Sequence, residues 1–103
     1  MKFLMFGMFD VAKAADVAQA SDKVWASPPP GVKMLADYVC LGLAFPGAPP
    51  NTAVGVSVVE AESAEALLAA TYPMALAGMS VWNVPIQEMP VGGAAELEKK
   101  ARR

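Results

Sequence analysis

The sequence predicts a small α+β domain in which a four-stranded antiparallel sheet carries its helices on one face and meets a second copy of the chain with the other. Three observations predict it. Apolar stretches of strand length and two stretches of helical periodicity follow the order strand, helix, strand, strand, helix, strand. The first strand, Lys2 to Phe9, is apolar on both sides, with Leu4, Phe6 and Met8 facing one way and Phe3, Met5 and Phe9 the other. Finally, a chain of 103 residues with two or three short helices can cover one sheet face and has little left for the second. Burying both sets of side chains requires a partner, so an obligate homodimer through the sheet faces is expected.

Each element has a local cause. Asp10 is a credible N-cap, and the helix after it, Val11 to Ala26, aligns Ala14, Val17, Ala18, Ser21, Val24 and Trp25 opposite Lys13, Asp16, Gln19 and Lys23. Ser27 and the run Pro28, Pro29, Pro30, Gly31 stop it. Val32 to Phe45 and Thr52 to Glu60 form a strand pair around a loop from Pro46 to Asn51. Ser63 caps a second helix with the stripe Ala64, Leu67, Leu68, Thr71, Met74 and Gly78, and Pro73 inside it predicts a kink or break. Met79 to Met89 supplies the last strand, where Pro85 argues for an edge or a bulge. This is the split arrangement of a ferredoxin-like βαββαβ domain. It is expected to occupy residues 1–91, with 92–103 a short charged helical tail set off by Gly92 and Gly93.

Composition excludes more chemistry than it suggests. Apolar residues make up 55% and charged residues 17%, few charges for coating a monomer. Residues 1–95 hold four lysines against eight acids, whereas Glu96 to Arg103 holds four basic groups against two acids. No basic face suggests nucleic acid, and the positive end is simply explained as Lys99, Lys100, Arg102 and Arg103 complementing a helix dipole. Histidine is absent and Cys40 is the only cysteine, which rules out internal disulfides, zinc-finger spacing and histidine triads, and suits a reducing, cytoplasmic compartment. Two uncharged windows, Tyr38 to Val59 and Ala66 to Gln87, are long enough to span a membrane, but internal prolines and asparagines make neither a membrane helix. The N-terminus has the outline of a secretion signal, yet its apolar run is minimal and closed by Asp10, and it reads as a strand. No glycine-rich phosphate loop follows a strand, and no metal site or cofactor is expected.

The opening MKFLMFGMF, the PPPGVKML approach to the second strand and the VSVVEAESAEALLA junction resemble, over nearly the whole chain, small single-domain families of the dimeric α/β-barrel superfamily. The resemblance implies two four-stranded sheets packed face to face, a homodimeric α/β barrel with helices outside. Members include cofactor-independent oxygenases, isomerases and haem enzymes, so it implies fold far more than activity. The usual histidine haem ligand has no counterpart here. The oxygenases hold aromatic substrates with tyrosine, tryptophan and asparagine, which draws comparison with Tyr38, Trp25, Trp82, Asn51 and Asn83.

The strand pair supplies the sharpest expectation. Setting Val39 opposite Val58, Leu41 opposite Val56 and Leu43 opposite Val54 makes one face bulky and aliphatic. Cys40 then faces Ser57, Gly42 faces Gly55 and Ala44 faces Ala53, so the other face is uniformly small. Small side chains leave room for a close helix or for a ligand lined by Trp25, Tyr38, Cys40, Gly42, Gly55, Ser57 and Trp82. The same register puts Asp37 opposite Glu60, where two carboxylates would share a proton, bind a cation, sit in solvent or pair with Lys33 or Lys2. Tyr38, Asp37 and Glu60 are thus the weak catalytic candidates. Aromatic rings, methionines and Cys40 at such positions serve equally as core packing. The functional expectation is a homodimer binding a small apolar or aromatic molecule between sheet and helices, with oxygenase or isomerase chemistry implied only by the resemblance. The alternative is a structural or assembly module in which dimerisation is itself the function.

Overall fold

The computed structural model describes residues 1–42 and 44–102. Strands β1 (Lys2–Asp10), β2 (Val32–Val39), β3 (Thr52–Ala61) and β4 (Ser80–Ile86) form one sheet in the order β2-β3-β1-β4 with all three pairings antiparallel. Helices α1 (Ala14–Ala26) and α2 (Ala64–Leu76) follow β1 and β3, and α3 (Ala94–Ala101) follows β4. This order and connectivity are those of a ferredoxin-like fold.

Helix α1 begins at Ala14, one turn later than the expected Val11, with Lys13 at its N-cap making no side-chain cap bond, and the expected cap by Asp10 acts on the turn before it. The Asp10 carboxylate accepts the Ala12 N–H at 2.8 Å, satisfying one free donor of a short 3-10 turn, Val11–Lys13, that runs into the helix. Ser63 caps α2 the same way, its hydroxyl accepting the Ala66 N–H at 3.1 Å. Pro73 does not break α2, which continues to Leu76. Proline removes one N–H from the helix interior, but α2 is fixed by packing: Leu67, Ala70, Thr71 and Met74 are buried against the sheet. The predicted stripe is therefore rotated. Leu68 and Ala64 are exposed, while Ala70 is buried.

The C-terminal end of α2 sets the position of a core side chain. Gly78, at φ 115°, lets its own N–H reach the Ala75 carbonyl and the Met79 N–H reach the Met74 carbonyl at the helix end. Met79 then lies over Gly7 of β1, so close that a Cβ on Gly7 would be 2.5 Å from its sulfur. The core gathers Phe3, Met5, Val17, Val59, Leu67 and Met74 on this helix-covered face. Full burial of Leu67, Met74 and Val59 contributes about 1.5–3 kcal/mol each.

The register of β2 departs from the expected one. Val32, Lys33 and Met34 pair with Ala61, Glu60 and Val59, and then a bulge at Leu35 shifts the ladder by one. Beyond it Ala36 faces Val58, Asp37 faces Ser57, Tyr38 faces Val56 and Val39 faces Gly55. The expected pairs of Val39 with Val58 and Asp37 with Glu60 do not form, and Leu41 and Gly42 lie past the end of the strand. The proposed partner of Val54, Leu43, lies outside the described residues. On β3 the sorting by size holds: Ala53, Gly55 and Ser57 share the helix-covered face and Val54, Val56 and Val58 the other, but β2 enters that pattern in the opposite phase.

The face away from the helices carries Leu4, Phe6 and Met8 of β1, Val56 and Val58 of β3, and Trp82, Val84 and Ile86 of β4. These side chains are half-buried by one another or exposed, and Trp82 stacks on Phe6 with ring centroids 5.1 Å apart and planes at 9°. The chain measures 47 × 35 × 19 Å, and its radius of gyration of 15.5 Å exceeds the roughly 13 Å usual at this length. A one-layer covering of the sheet and an extended C-terminal segment account for the excess. No helix among the described residues is long and apolar enough to cross a membrane.

Candidate functional site

A cavity of about 410 Å³ lies between the sheet and α1. Its floor follows from the strand pattern: Met5, Gly7 and Phe9 alternate along β1, and Gly55 and Ser57 face them from β3. Gly7 and Gly55 are direct cross-strand partners, and they differ in what stands over them. Met79 fills the space above Gly7, whereas a Cβ on Gly55 would meet only the Tyr38 carbonyl oxygen, at 3.5 Å. The opening is thus displaced toward β2, where Met34, Asp37 and Val39 form its edge.

Helix α1 supplies the opposite wall through Val17, Ala18, Ser21, Asp22 and Trp25. Of these only Val17 is fully buried, so the helix touches the sheet along a narrow line and stands off from β2. Met74 and Met79 close the inner end. Four methionines, a phenylalanine and a tryptophan make the interior soft and apolar, suited to ligands of imprecise shape.

The polar groups are few. Ser57 is 3% exposed, and its hydroxyl donates to Asp37 Oδ1 at 2.8 Å. The bulge at Leu35 creates this contact, because it brings Asp37 rather than Ala36 opposite Ser57. Asp22 faces the opening from α1, and both aspartates are solvent-exposed. Among the described residues neither carboxylate forms an ion pair, and no lysine or arginine lines the cavity. The Trp25 indole Nε1 is buried with no hydrogen-bond partner among the described residues, a group whose burial costs about 1–3 kcal/mol.

Of the residues singled out from sequence, the cavity brings together Trp25, Asp37, Tyr38, Gly55 and Ser57. Tyr38 reaches it through the backbone, since its register opposite Val56 puts the ring on the open sheet face, where the residue is 64% exposed. Cys40 and Gly42 instead border a separate hollow with Pro49, Pro50 and Asn51, Gly42 being at φ 107° in the loop. Trp82 sits on the open face and Asn83 is exposed near the β4 edge. Glu60 is turned away from Asp37 and takes the N-terminal ammonium at 3.1 Å. The two carboxylates are on opposite faces, which removes them as a proton-sharing pair.

Asp22, Ser21, Gly7 and the methionines were not anticipated. For Gly7 and Met5 the signal was present, because strand alternation already put Met5 beside Phe3 and Phe9. Among the described residues no cluster of histidine, cysteine or carboxylate side chains could hold a metal.

No protein-family model matches this chain, and no curated protein matches it. Among solved structures, a DUF3240 family protein from Shewanella baltica OS155 aligns with a TM-score of 0.49 at 12% identity, covering 86% of this chain and 93% of that one. A "putative antibiotic biosynthesis monooxygenase" from Deinococcus radiodurans aligns with a TM-score of 0.49 at 13% identity, over 87% and 96% of the two chains. Each is a likeness of fold.

Proposed function

We propose that this chain is a small-molecule-binding protein that works as a homodimer, holding an apolar or aromatic molecule between its sheet and α1. The observation that carries the reading is the unfilled floor over Gly55 within a cavity of about 410 Å³, inside the range typical of small-ligand sites. Tight packing is the rule in domain interiors, and a void beside a filled neighbour, Gly7 under Met79, is a selective omission. The dimer part rests on the open face, where Phe6, Val56, Val84 and Trp82 form a contiguous apolar surface that is half-buried or exposed, the kind of patch that marks an interaction site. Residues 1–91 would form the binding domain and 92–103 an appended segment, and the unpaired Cys40 suits a reducing cytoplasm.

Direct titration tests the binding reading. In a Trp82→Phe protein, Trp25 is the sole tryptophan, and 2-phenylethanol should perturb its emission saturably. An unchanged emission spectrum and an unchanged melting temperature at millimolar probe would remove the reading. The structural-module alternative would then gain, since it is favoured by the same open face and needs no ligand.

A further inference from the structure

We infer that the molecule held in this cavity is an amphipathic cation, an apolar or aromatic body carrying a protonated amine, with the amine seated at the mouth between Asp37 and Asp22. The inference rests on the binding reading above and names the ligand class of the same site. The interior is apolar and selects a hydrophobic body. The mouth carries two carboxylates, one from β2 and one from α1, and no basic side chain lines the cavity to offset them.

Asp37 is oriented for the purpose. The buried Ser57 hydroxyl holds Oδ1 at 2.8 Å, which fixes the carboxylate while Oδ2 has no partner among the described residues. Asp22 likewise has no ion-pair partner there, although Lys23 follows it directly in the chain, because Lys23 borders a different hollow, between α1 and α2. The nearest basic residue of β2, Lys33, pairs in register with Glu60 on the open face. Elsewhere on this chain the N-terminus, Lys2, Lys99 and Arg102 are each matched to a glutamate. A ligand ammonium supplies three donors for the two unmatched carboxylates. A ligand carboxylate would meet like charge at both walls, an arrangement that works by repulsion as much as by attraction.

Three probes of similar size and different charge test this: 2-phenylethylamine, 2-phenylethanol and 3-phenylpropanoate, titrated at pH 7 into the Trp82→Phe protein with Trp25 emission as readout. The amine is expected to bind roughly tenfold tighter than the carboxylate, with the alcohol between, since each exposed charge pair is worth up to about fivefold in affinity. Raising the salt concentration should weaken the amine and leave the alcohol unchanged. Asp37→Asn should bring the amine down toward the alcohol. Alcohol and carboxylate binding as well as the amine would overturn the cation assignment and leave the apolar cavity standing. An absence of binding by all three would overturn both readings. The salt series uses the unaltered Asp37, so the assignment remains open to refutation even if Asp37→Asn does not fold.

Discussion

The two faces of the sheet are built from the same four strands and are both apolar, yet one is a core with a hole in it and the other is a surface without a cover. On the helix side β3 presents Ala53, Gly55 and Ser57, and on the open side Val54, Val56 and Val58. Along this stretch of β3 the small residues lie on the helix side, where Gly55 leaves room, and the bulky ones on the open side, where Val56 and Val58 stay only half-buried. Apolar content does not separate the two faces, and along β1 size does not either; over residues 53–58 of β3, side-chain size does. A face meant for flat contact with another sheet gains from broad aliphatic and aromatic groups, while a face under helices gains from size variation that decides how near each helix approaches.

The largest effect that can break this comparison concerns the open face. Phe6 lies at its centre, opposite Val56 on one side and stacked on Trp82 on the other. Phe6→Lys would put an unpaired charge into a buried dimer contact, at a cost of about 3–5 kcal/mol. Sedimentation at low micromolar concentration should show wild-type dimers and Phe6→Lys monomers. A wild type that sediments as a folded monomer would mean that the open face is simply exposed.

How far the sequence foretold these faces depends on where the backbone is regular. β1, β3 and β4 are uninterrupted, so the period of two assigns their residues to faces directly, and the doubly apolar first strand is as visible in KFLMFGMF as in the ladder. The capping by Asp10 of the turn that leads into α1 and the capping of α2 by Ser63 were equally legible, because each is decided within four residues. β2 was not legible. One extra residue at Leu35 inverts the phase of Ala36 to Val39, and nothing in VKMLADYV distinguishes a bulged strand from a straight one. The candidate site inherited that error: Asp37 moved from a pair with Glu60 to a hydrogen bond with Ser57, and Cys40 and Gly42 left the site altogether. Gly55, Ser57 and Trp25 survived because they belong to elements without irregularity.

The next effect sharpens the comparison within the covered face. Gly7→Val adds a branched side chain where Met79 already sits, with the first added carbon 2.5 Å from its sulfur. Met79 has to swing aside, and the direction open to it is the neighbouring cavity, whose inner end it already lines. Overpacking of this kind costs about 1–3 kcal/mol. Denaturant unfolding should show that loss, together with weaker 2-phenylethanol binding as the displaced thioether enters the site. Unchanged stability would mean that Met79 does not hold its place over Gly7.

The smallest effect is the most informative. Gly55→Val enlarges the cross-strand partner of Gly7 by the same atoms on the same face, but over Gly55 there is only the Tyr38 carbonyl at ordinary contact distance. Gly55 sits mid-strand at a φ that any residue adopts, so the substitution removes a flexible glycine and supplies a β-branched side chain that strands favour. Stability should stay within about 1 kcal/mol of wild type, since the backbone term of roughly 0.5–1 kcal/mol favours valine and offsets the cost of fitting its methyls. The valine methyls occupy the floor of the cavity, so binding of 2-phenylethanol should fall at least tenfold while the melting temperature barely moves. If Gly55→Val instead destabilises as much as Gly7→Val, the floor over Gly55 is filled in solution by α1, and the difference between the two glycines disappears.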